Sequence, residues 1–339
     1  MKKDIDWRNL GFQYMQTDCY VTATYSEGSW SELKVCNEPN MSIHIAATCL
    51  HYGQSCFEGL KAFSRQDGSI ALFRPEENAA RLINSAKRIA MVAPPKELFV
   101  QAVKKVVELN KDWVPPYGTG ASFYLRPILI GTDPKVGLQP SQSYMFIVMG
   151  MPVGPFYKNG FFPVSACVQD EYDRAAPKGV GNVKVAGNYA AGMLGDIESK
   201  AGGYSITLYL DSATHQYVEE FGTSNLIAIK QGKKFVTPQS ESILPSITNR
   251  SVQIIAKDFG LDVEYRPIPF DELSQFTEVG ACGTAAVITP VYSITKGEKV
   301  FTFGREDKAG ETLEKLYREM QGIQFGEIED RHGWMKPVS

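Results

Sequence analysis

The hydrophobic and polar positions in the first half of the chain follow two different periods. Segments 76–92 and 95–114 have apolar residues at helical spacing, and Pro95 suits the first turn of the second segment. Other stretches alternate or are dense in β-branched and aromatic residues, as strands are. Such strands are predicted at 19–25, 69–75, 121–130 and 143–150.

Segment 151–163 is dense in Pro, Gly and aromatic residues without a clean period, which is typical of a connection between domains. The second half is predicted to contain a strand at 164–170, a helix at 188–203, a hairpin around 211–215 and a helix within 244–261. Ser246 or Thr248 is predicted to cap the last of these helices. The whole pattern predicts an α+β or mixed α/β fold in two domains, 1–150 and 164–339.

Composition disfavours several classes of function. The net charge of −3 over 339 residues provides no general attraction for nucleic acid or anionic membranes. No apolar run approaches the roughly 20 residues of a membrane span, and no apolar core of a secretory signal follows the N-terminus. The six cysteines include no C-x-x-C pair, so neither a zinc site nor a disulfide framework is supported. We therefore expect a cytoplasmic protein with reduced thiols and without a metal, membrane or nucleic-acid partner.

Lys184 lies among small residues, in the stretch GVGNVKVAGNYAAG at 179–192. A lysine that forms a Schiff base must reach a carbonyl and lose its proton near neutral pH, and burial or nearby cations lower its pKa. Small neighbours would let a bulky cofactor approach the backbone. Taken alone, the segment fits an exposed loop lysine better, because most lysines are exposed.

Two segments of the second half could bind charged groups. A helix that starts at Ile247 and Thr248 would offer free backbone N–H groups to an anion, although a simple capped helix fits the pattern more readily. Glu219 and Glu220 are adjacent on a predicted strand and must point to opposite faces. We expect one of them to face solvent. The other could be buried beside a partner, such as a protonated ring nitrogen, although a solvated pair on an edge strand fits the pattern equally well.

Three further segments carry candidate ligand-binding groups. Tyr124 and Arg126 share one face of a predicted strand, where a phenol beside a guanidinium would bind a carboxylate. An exposed arginine that covers an aromatic ring is the simpler interpretation of that segment. Tyr52 and Phe57 lie in LHYGQSCFEGLKAF, which by itself indicates packed aromatic residues. The small residues of 280–290 could bring backbone N–H groups to an anion or form a tight strand crossing.

In their order along the chain, these segments resemble the branched-chain amino acid aminotransferases, which are fold-type-IV enzymes that use pyridoxal 5′-phosphate. The matching blocks are LHYGQSCFEGLKAF, YLRPILIG, GVGNVKVAGNY, VEEFGTSN, ILPSIT and GTAAVI, and they extend over nearly the whole chain. The resemblance implies a D-amino-acid aminotransferase-like fold with its active site at the interface of two domains. The smaller, α/β domain would be N-terminal, and the larger C-terminal domain would carry the lysine.

The resemblance implies a role for each cofactor-binding residue. Lys184 would hold pyridoxal 5′-phosphate as a Schiff base and move a proton between substrate and cofactor. Glu220 would pair with the pyridine nitrogen and keep it protonated, which makes the ring an electron acceptor. The remaining contacts to the ring and phosphate would come from Arg81, Tyr189, Ile247, Thr248 and Thr284.

The resemblance also implies a pocket for two kinds of substrate. The enzyme would transfer the amino group of L-leucine, L-isoleucine or L-valine to 2-oxoglutarate, so one pocket must accept apolar and charged side chains. Arg126 would bind the distal carboxylate, and Tyr52 would reach the partner's site in an obligate homodimer. The side-chain pocket and the α-carboxylate site would be completed by Phe57, Tyr124, Phe156 (or Tyr157, if the alignment shifts by one), Thr223 and Ala285.

Two alternatives remain open at this point. The first is a D-amino-acid transaminase or aminodeoxychorismate lyase of the same fold type, against which the block YLRP argues. The second is a non-catalytic protein that has kept the fold. The presence of lysine, glutamate and arginine at the three charged positions argues against that second alternative.

Overall fold

The computed structural model describes residues 2–154, 161–231 and 233–338. The chain divides into two compact units, the first made of Met1–Lys158, Val183–Ala186 and Gly322–Ser339, and the second of Asn159–Asn182 and Gly187–Gln321. The lysine segment therefore groups with the first unit, which differs from its expected place in a C-terminal domain. Two backbone contacts explain the grouping: Val185 bridges Cys56, and the Phe57 N–H donates to the Lys184 carbonyl over 3.1 Å.

The elements alternate irregularly between strands and helices. The helices are α1 (Thr48–Tyr52), α2 (Pro75–Arg88), α3 (Lys96–Leu109), α4 (Ala186–Ala201), α5 (Ile247–Asp258) and α6 (Glu311–Phe325). The strands are β1 (Tyr20–Ser26), β2 (Ser29–Trp30), β3 (Lys34–Cys36), β4 (Ser55–Phe57), β5 (Leu60–Ser64), β6 (Ile70–Phe73), β7 (Ser122–Gly131), β8 (Tyr144–Val153), β9 (Val164–Val168), β10 (Ile206–Leu210), β11 (Tyr217–Phe221), β12 (Ser224–Lys230), β13 (Lys234–Pro238), β14 (Asp262–Arg266), β15 (Ile268–Pro269), β16 (Glu278–Gly283), β17 (Val287–Lys296), β18 (Lys299–Thr302) and β19 (Met335–Pro337).

The first unit is built on an antiparallel sheet with the order β19-β6-β5-β7-β8-β1-β2. β3 pairs with β1, and β4 pairs with β7. Helix α3 packs against β8 and β1, and α2 packs against α3 and β4. The strands and helices predicted in this half are confirmed to within a few residues, except that the helix predicted to reach 114 ends at Leu109.

Helix α2 is the element that positions functional groups in the first unit. It begins at Pro75, whose missing N–H costs nothing in a first turn, and Arg74 before it adopts a φ of 48°. Acidic residues in its first turn and basic residues in its last complement the helix dipole. Its buried face includes Asn78, Leu82 and Ser85. Two of these buried residues are polar, which indicates hydrogen bonds inside the unit.

The sheet of the second unit closes on itself. Its order is β14-β13-β12-β16-β17-β9-β10-β11-β15, and an additional pairing of β11 with β12 completes a ring through β12, β16, β17, β9, β10 and β11. The interior is apolar, with Leu208, Phe221, Leu226, Val279 and Ile294 fully buried or nearly so. The predicted hairpin is confirmed as β10 and β11, and the predicted helix within 244–261 as α5.

The expectation that one of the two adjacent glutamates faces solvent is wrong. Glu219 and Glu220 are only 3% and 4% exposed. The physical reason is that groups from elsewhere in the second unit cover both faces of β11: Ser240 contacts Glu219, and Leu244 and Arg174 contact Glu220. On the Glu219 side, the Ser240 hydroxyl donates to the carboxylate over 2.5 Å. Within the residues described above, no helix is long and apolar enough to cross a membrane.

Candidate active site

The backbone of Lys184 is held on both sides. Its N–H donates to the Ser85 hydroxyl on α2 over 2.9 Å, and its carbonyl accepts from the N–H of Phe57. The bridge between Val185 and Cys56 adds a third fixed point one residue later. These contacts fix the backbone around Lys184 to the first unit. The fixed backbone in turn sets the direction in which the lysine side chain leaves the chain.

The amine of Lys184 lies in surroundings that favour its neutral form. Nζ is 4.7 Å from the centre of the Phe57 ring. Burial lowers the pKa of the amine to about 8, and the nearby Arg81 and Arg126 act in the same direction. Glu58 and Tyr124 oppose this shift. An amine with such a pKa is deprotonated in a useful fraction near neutral pH, as attack on a carbonyl requires.

Arg81 is fixed by a residue that the sequence did not single out. Its Nε donates to Glu58 Oε1 over 2.8 Å and its Nη2 to Glu58 Oε2 over 2.7 Å, which is a bidentate pair. Asn78, one turn earlier on α2, donates to Glu58 Oε2 over 2.8 Å. Glu58 belongs to the matched block LHYGQSCFEGLKAF, but nothing in its local pattern distinguishes it from a surface glutamate.

Glu220 is a buried carboxylate with three partners in the second unit. Oε1 accepts from the Leu244 N–H over 3.0 Å and lies 2.9 Å from Arg174 Nη2, and Oε2 accepts from Asn225 Nδ2 over 2.7 Å. Burial raises the pKa of Glu220, and Arg174 is the largest opposing influence. Since a carboxylate has about four lone-pair sites, these contacts leave capacity for a further donor such as a ring N–H.

Arg174 is the second functional residue that sequence reasoning missed. Besides Glu220, its Nη2 contacts the carbonyls of Gly181, at 3.3 Å, and Ser242. Its Nε is buried and finds no hydrogen-bond partner in the described ranges. The arginine precedes Lys184 in sequence and lies outside every segment in which a charged group was expected. Only the three-dimensional contact with Glu220 identifies it.

The first turn of α5 carries the backbone N–H groups that the sequence predicts to bind an anion. Ser246 is the cap, because its hydroxyl accepts from the Asn249 N–H over 3.1 Å, so the choice between Ser246 and Thr248 is resolved. Ile247 and Thr248 are buried at this end of the helix. Buried hydrogen bonds link this end of α5 to Glu220. Asn249 Nδ2 donates to Asn225 Oδ1 over 3.3 Å, and Asn225 Nδ2 donates to Glu220 Oε2.

Two turns in the second unit carry the remaining predicted groups. Thr223 lies in the turn between β11 and β12, and Thr284 and Ala285 lie in the turn between β16 and β17. The register pairs Asn225 with Cys282, so the two turns lie at the same end of neighbouring strands.

Two further features belong to the same unit. Val287, which follows the second turn, has a φ of 65°, a strained conformation for a β-branched residue of the kind found at functional sites. Tyr189 lies half-buried in the first turn of α4. Val287 lies two residues after Ala285, and Tyr189 is itself predicted to contact the cofactor.

One face of the first unit's sheet carries three of the side chains that are predicted to bind substrate. Arg126 Nη2 donates to the Tyr124 hydroxyl over 3.1 Å, and its guanidinium lies 4.7 Å from the Phe57 ring centre. The Nε of Arg126 is buried and has no hydrogen-bond partner within the described residues. Gly59 makes room for this arrangement, since a Cβ there would collide with the Tyr124 hydroxyl. An unsatisfied buried donor beside a phenol suits a carboxylate ligand.

Tyr52 and Phe156 differ from the other predicted site residues, because the first is exposed and the second is not among the described residues. Tyr52 is 41% exposed, and its hydroxyl donates to the Val136 carbonyl. Phe156, and its alternative Tyr157, lie outside the described residues. The first unit thus holds Tyr52, Phe57, Arg81, Tyr124, Arg126 and Lys184, and the second holds Tyr189, Glu220, Thr223, Ile247, Thr248, Thr284 and Ala285.

Comparisons with known proteins identify the family of this chain. The profile of the family described as amino-transferase class IV matches residues 55–294. The chain is 47% identical, over 345 residues and 99% of each sequence, to the branched-chain-amino-acid aminotransferase of Haemophilus influenzae. It is 44% identical over 338 residues to the enzyme of the same name from Helicobacter pylori, covering 99% of this chain and 98% of that one.

Solved structures give the same result for the fold. The crystal structure of the Escherichia coli branched-chain amino acid aminotransferase is similar, with a TM-score of 0.81, 27% identity, and coverage of 95% of this chain and 100% of that one. The T.th. branched-chain amino acid aminotransferase complexed with N-(5′-phosphopyridoxyl)-L-glutamate gives a TM-score of 0.78 at 26% identity, covering 96% and 100%.

Proposed function

This chain belongs to the amino-transferase class IV family and is a branched-chain amino acid aminotransferase, and we propose that it works through pyridoxal 5′-phosphate bound at Lys184. The proposed reaction moves the amino group of L-leucine, L-isoleucine or L-valine to 2-oxoglutarate. The products are the branched 2-oxo acid and L-glutamate. The T.th. relative, which is complexed with a phosphopyridoxyl derivative of L-glutamate, supports the choice of both cofactor and acceptor.

The observation that carries the proposal is the position of the Lys184 amine. Its backbone is fixed by Phe57 and Ser85, and its pKa is lowered to about 8. Arg81 lies one helical turn before Ser85 on α2 and provides a cation for a phosphate beside that amine. The donor set therefore fits an aldehyde-bearing phosphate ester. Across the described ranges, no cluster of three or more His, Cys, Asp or Glu residues suits a metal ion.

When bound, pyridoxal phosphate supplies a carbonyl that condenses with amines and a ring that accepts electrons from the bond broken at the substrate Cα. The protein residues control protons and orientation around it. Lys184 would take the proton from the substrate Cα and deliver it to C4′ of the cofactor, and would move a proton in the opposite direction in the second half-reaction. Glu220 would keep a proton on the ring nitrogen. The phosphate would be held by Arg81, the Ile247 and Thr248 amides and the Thr284 hydroxyl, and Tyr189 would contact the ring.

Substrate binding follows from the same assignment. The Thr223 hydroxyl and the Ala285 N–H receive the α-carboxylate. Arg126 binds the distal carboxylate of 2-oxoglutarate, which would satisfy its buried Nε. One pocket thereby accepts both an apolar and a charged substrate, because different groups serve each. The apolar walls for a branched side chain are assigned to Phe57, Tyr124 and Phe156.

We propose that the enzyme acts as a homodimer in which Tyr52 reaches the partner's site. Tyr52 lies among exposed apolar side chains of the first unit, and such a patch is unusual on a monomer. These side chains are Ile45, Leu50, Tyr52 and Val136, each between 41% and 83% exposed, and hydrogen bonds join Tyr52 to Val136 and His51 to Ile45. We also propose a cytoplasmic location, since all six cysteines are free thiols.

The reaction is tested by supplying L-leucine or D-alanine together with 2-oxoglutarate and measuring glutamate. Turnover with L-leucine and none with D-alanine is expected. Activity restricted to the D substrate would overturn the proposed reaction.

The dimer is tested by light scattering of the purified enzyme and by mixing variants. Tyr52→Ala and Lys184→Ala should each be impaired alone. Mixed dimers should regain activity, because one of their two sites keeps both an intact lysine and an intact partner tyrosine. A monomeric enzyme with full activity would contradict the shared site.

The cofactor site is tested by borohydride reduction of the pyridoxal-phosphate-loaded enzyme followed by peptide mass spectrometry. The reduced cofactor should be attached to the peptide that contains Lys184. Lys184→Ala should lose both this attachment and transamination. Attachment at another lysine, with full activity of Lys184→Ala, would contradict the assignment.

A further inference from the structure

Glu58 is a fully buried carboxylate directly beside the arginine assigned to the phosphate. Its side chain is 0% exposed and that of Arg81 is 9% exposed. The guanidinium donates through two different nitrogens to the two carboxylate oxygens, over 2.8 and 2.7 Å. Asn78 Nδ2 donates to Oε2 and also to the Gly59 carbonyl, over 2.8 and 3.2 Å. The Gly59 N–H also donates to Oε2, over 3.3 Å, so the carboxylate is held by two residues of α2 and by its own neighbour in sequence.

A carboxylate at this position is costly for binding an anion. It offsets the charge of Arg81, and a buried ion pair rarely contributes net stability over an apolar pair. The backbone N–H of Glu58 donates to the Pro127 carbonyl. Nearby strand positions such as Leu60 and Leu129 are buried and apolar. The fold places a charge where a hydrophobic residue would pack. A role in orienting Arg81 accounts for that choice.

We propose that Glu58 is a positioning residue that sets the plane of the Arg81 guanidinium for the cofactor phosphate. The inference rests on the proposed function of Arg81. A bidentate pair fixes both the position and the plane of a guanidinium, which a single contact does not. Because the arginine is ordered before the ligand arrives, less rotamer entropy is lost on binding.

Glu58 also balances charge beside the reactive amine. Arg81 and Arg126 disfavour the charged form of Lys184, whereas Glu58 and Tyr124 favour it. Without Glu58, the Tyr124 phenol would be the one member of these four groups that still favours the charged form of Lys184. Removal of the carboxylate should therefore lower the pKa of the Lys184 amine further. Glu58 therefore acts both on Arg81, the proposed phosphate-binding group, and on the pKa of the reactive amine of Lys184.

The test compares pyridoxal 5′-phosphate with pyridoxal, which lacks the phosphate, on cofactor-stripped wild-type protein and Glu58→Gln. The amide keeps the size of the side chain but can offer Arg81 only one accepting oxygen. The apparent Kd for pyridoxal phosphate should rise about tenfold or more, while that for pyridoxal changes less than about threefold. In addition, the pH dependence of pyridoxal attachment should shift to lower pH.

Coupling with Arg81 separates positioning from a general loss of structure. In an Arg81→Lys background, which cannot form the bidentate pair, Glu58→Gln should have little further effect on phosphate-dependent affinity. Glu278→Gln is the matched control, since its carboxylate accepts from the Thr312 and Leu313 N–H groups in the second unit. If Glu58→Gln does not fold, Glu58→Asp, which keeps the charge but shortens the reach, provides the same comparison.

The outcomes distinguish this inference from the proposed function. Wild-type protein that fails to bind pyridoxal phosphate would refute the proposed function itself. Wild-type binding with an unchanged Kd in Glu58→Gln, or an equal loss for pyridoxal and its phosphate, would refute the positioning role alone. Tighter binding of the phosphate by Glu58→Gln would also refute it, because charge would then outweigh orientation.

Discussion

Glu220 and Arg174 form a buried ion pair, with 2.9 Å between Oε1 of the carboxylate and Nη2 of the guanidinium. The same Nη2 contacts the carbonyls of Gly181 and Ser242. The arginine thus ties strand β11 to the chain before Lys184 and to the loop before α5. For Glu220 to keep a ring nitrogen protonated it must remain ionised, and Arg174 is the largest influence that opposes the rise of its pKa on burial.

Replacement of Arg174 by Gln should therefore impair the role of Glu220. Without the guanidinium, the pKa of Glu220 rises further, so a smaller fraction is ionised at a given pH. The acidic limb of the kcat–pH profile should move to higher pH, and kcat near neutrality should fall about 10- to 100-fold. Arg174→Lys keeps a charge and should lose less. An unshifted profile in both variants would show that Arg174 acts on folding alone.

The two glycines that flank Lys184 should respond differently to alanine. A Cβ on Gly181 would overlap the Ser242 carbonyl and lie 2.8 Å from Arg174 Nη2, whereas a Cβ on Gly187 meets nothing within 4 Å. Gly181→Ala should destabilise the protein by about 1–3 kcal/mol through overpacking and should reduce activity by displacing Arg174. Gly187→Ala, in the first turn of α4, should be neutral or slightly stabilising. Thermal unfolding and kcat of the two variants test the contrast; equal effects would contradict it.

Features that depend on a local sequence pattern could be predicted, whereas features that depend on contacts between distant segments could not. The positions of α2, α3, β7 and β8 followed from the spacing of their apolar residues, which are largely buried. The resemblance assigns roles to Lys184 and Glu220 through motifs whose order along the chain matches the family, and these roles stay predictions. The burial of both Glu219 and Glu220 was not predictable, because it depends on contacts with Ser240, Leu244 and Arg174, which alternation along one strand does not reveal.

Glu58 and Arg174 show the limit of sequence reasoning at the site. Each is a common charged residue that lies in or near a segment with candidate chemistry. Their significance lies in partners that are distant in sequence, Arg81 and Glu220. A buried charge is informative because it needs a partner, but burial is a property of the folded chain. The same holds for Gly181, whose close approach to a loop carbonyl depends on distant segments meeting.

Arg126 should determine the use of 2-oxoglutarate more than the use of leucine. Its guanidinium contacts Tyr124 and Phe57, and its Nε is buried without a partner in the described part of the chain. Arg126→Leu should raise KM for 2-oxoglutarate and glutamate at least about tenfold, since a charge-assisted hydrogen bond is lost. The leucine half of the reaction should change less than about threefold. Single-turnover measurements with each substrate separate the two, and equal losses would count against a distal-carboxylate role.

Lys184 should lower the stability of the cofactor-free protein at neutral pH. Its pKa falls from 10.5 to about 8 on folding, so the unfolded chain binds more protons between these values and stability rises as pH increases through that window. Lys184→Met removes the cost of holding an ammonium group in a partly buried position, and should stabilise the cofactor-free protein by about 2 kcal/mol at pH 7, after allowance for partial exposure. Because the wild-type amine loses its proton above pH 8, the difference should shrink towards pH 10.5. Urea unfolding of both proteins at about pH 7 and about pH 10 measures the gap, and a gap that is absent or that widens with pH would contradict the lowered pKa.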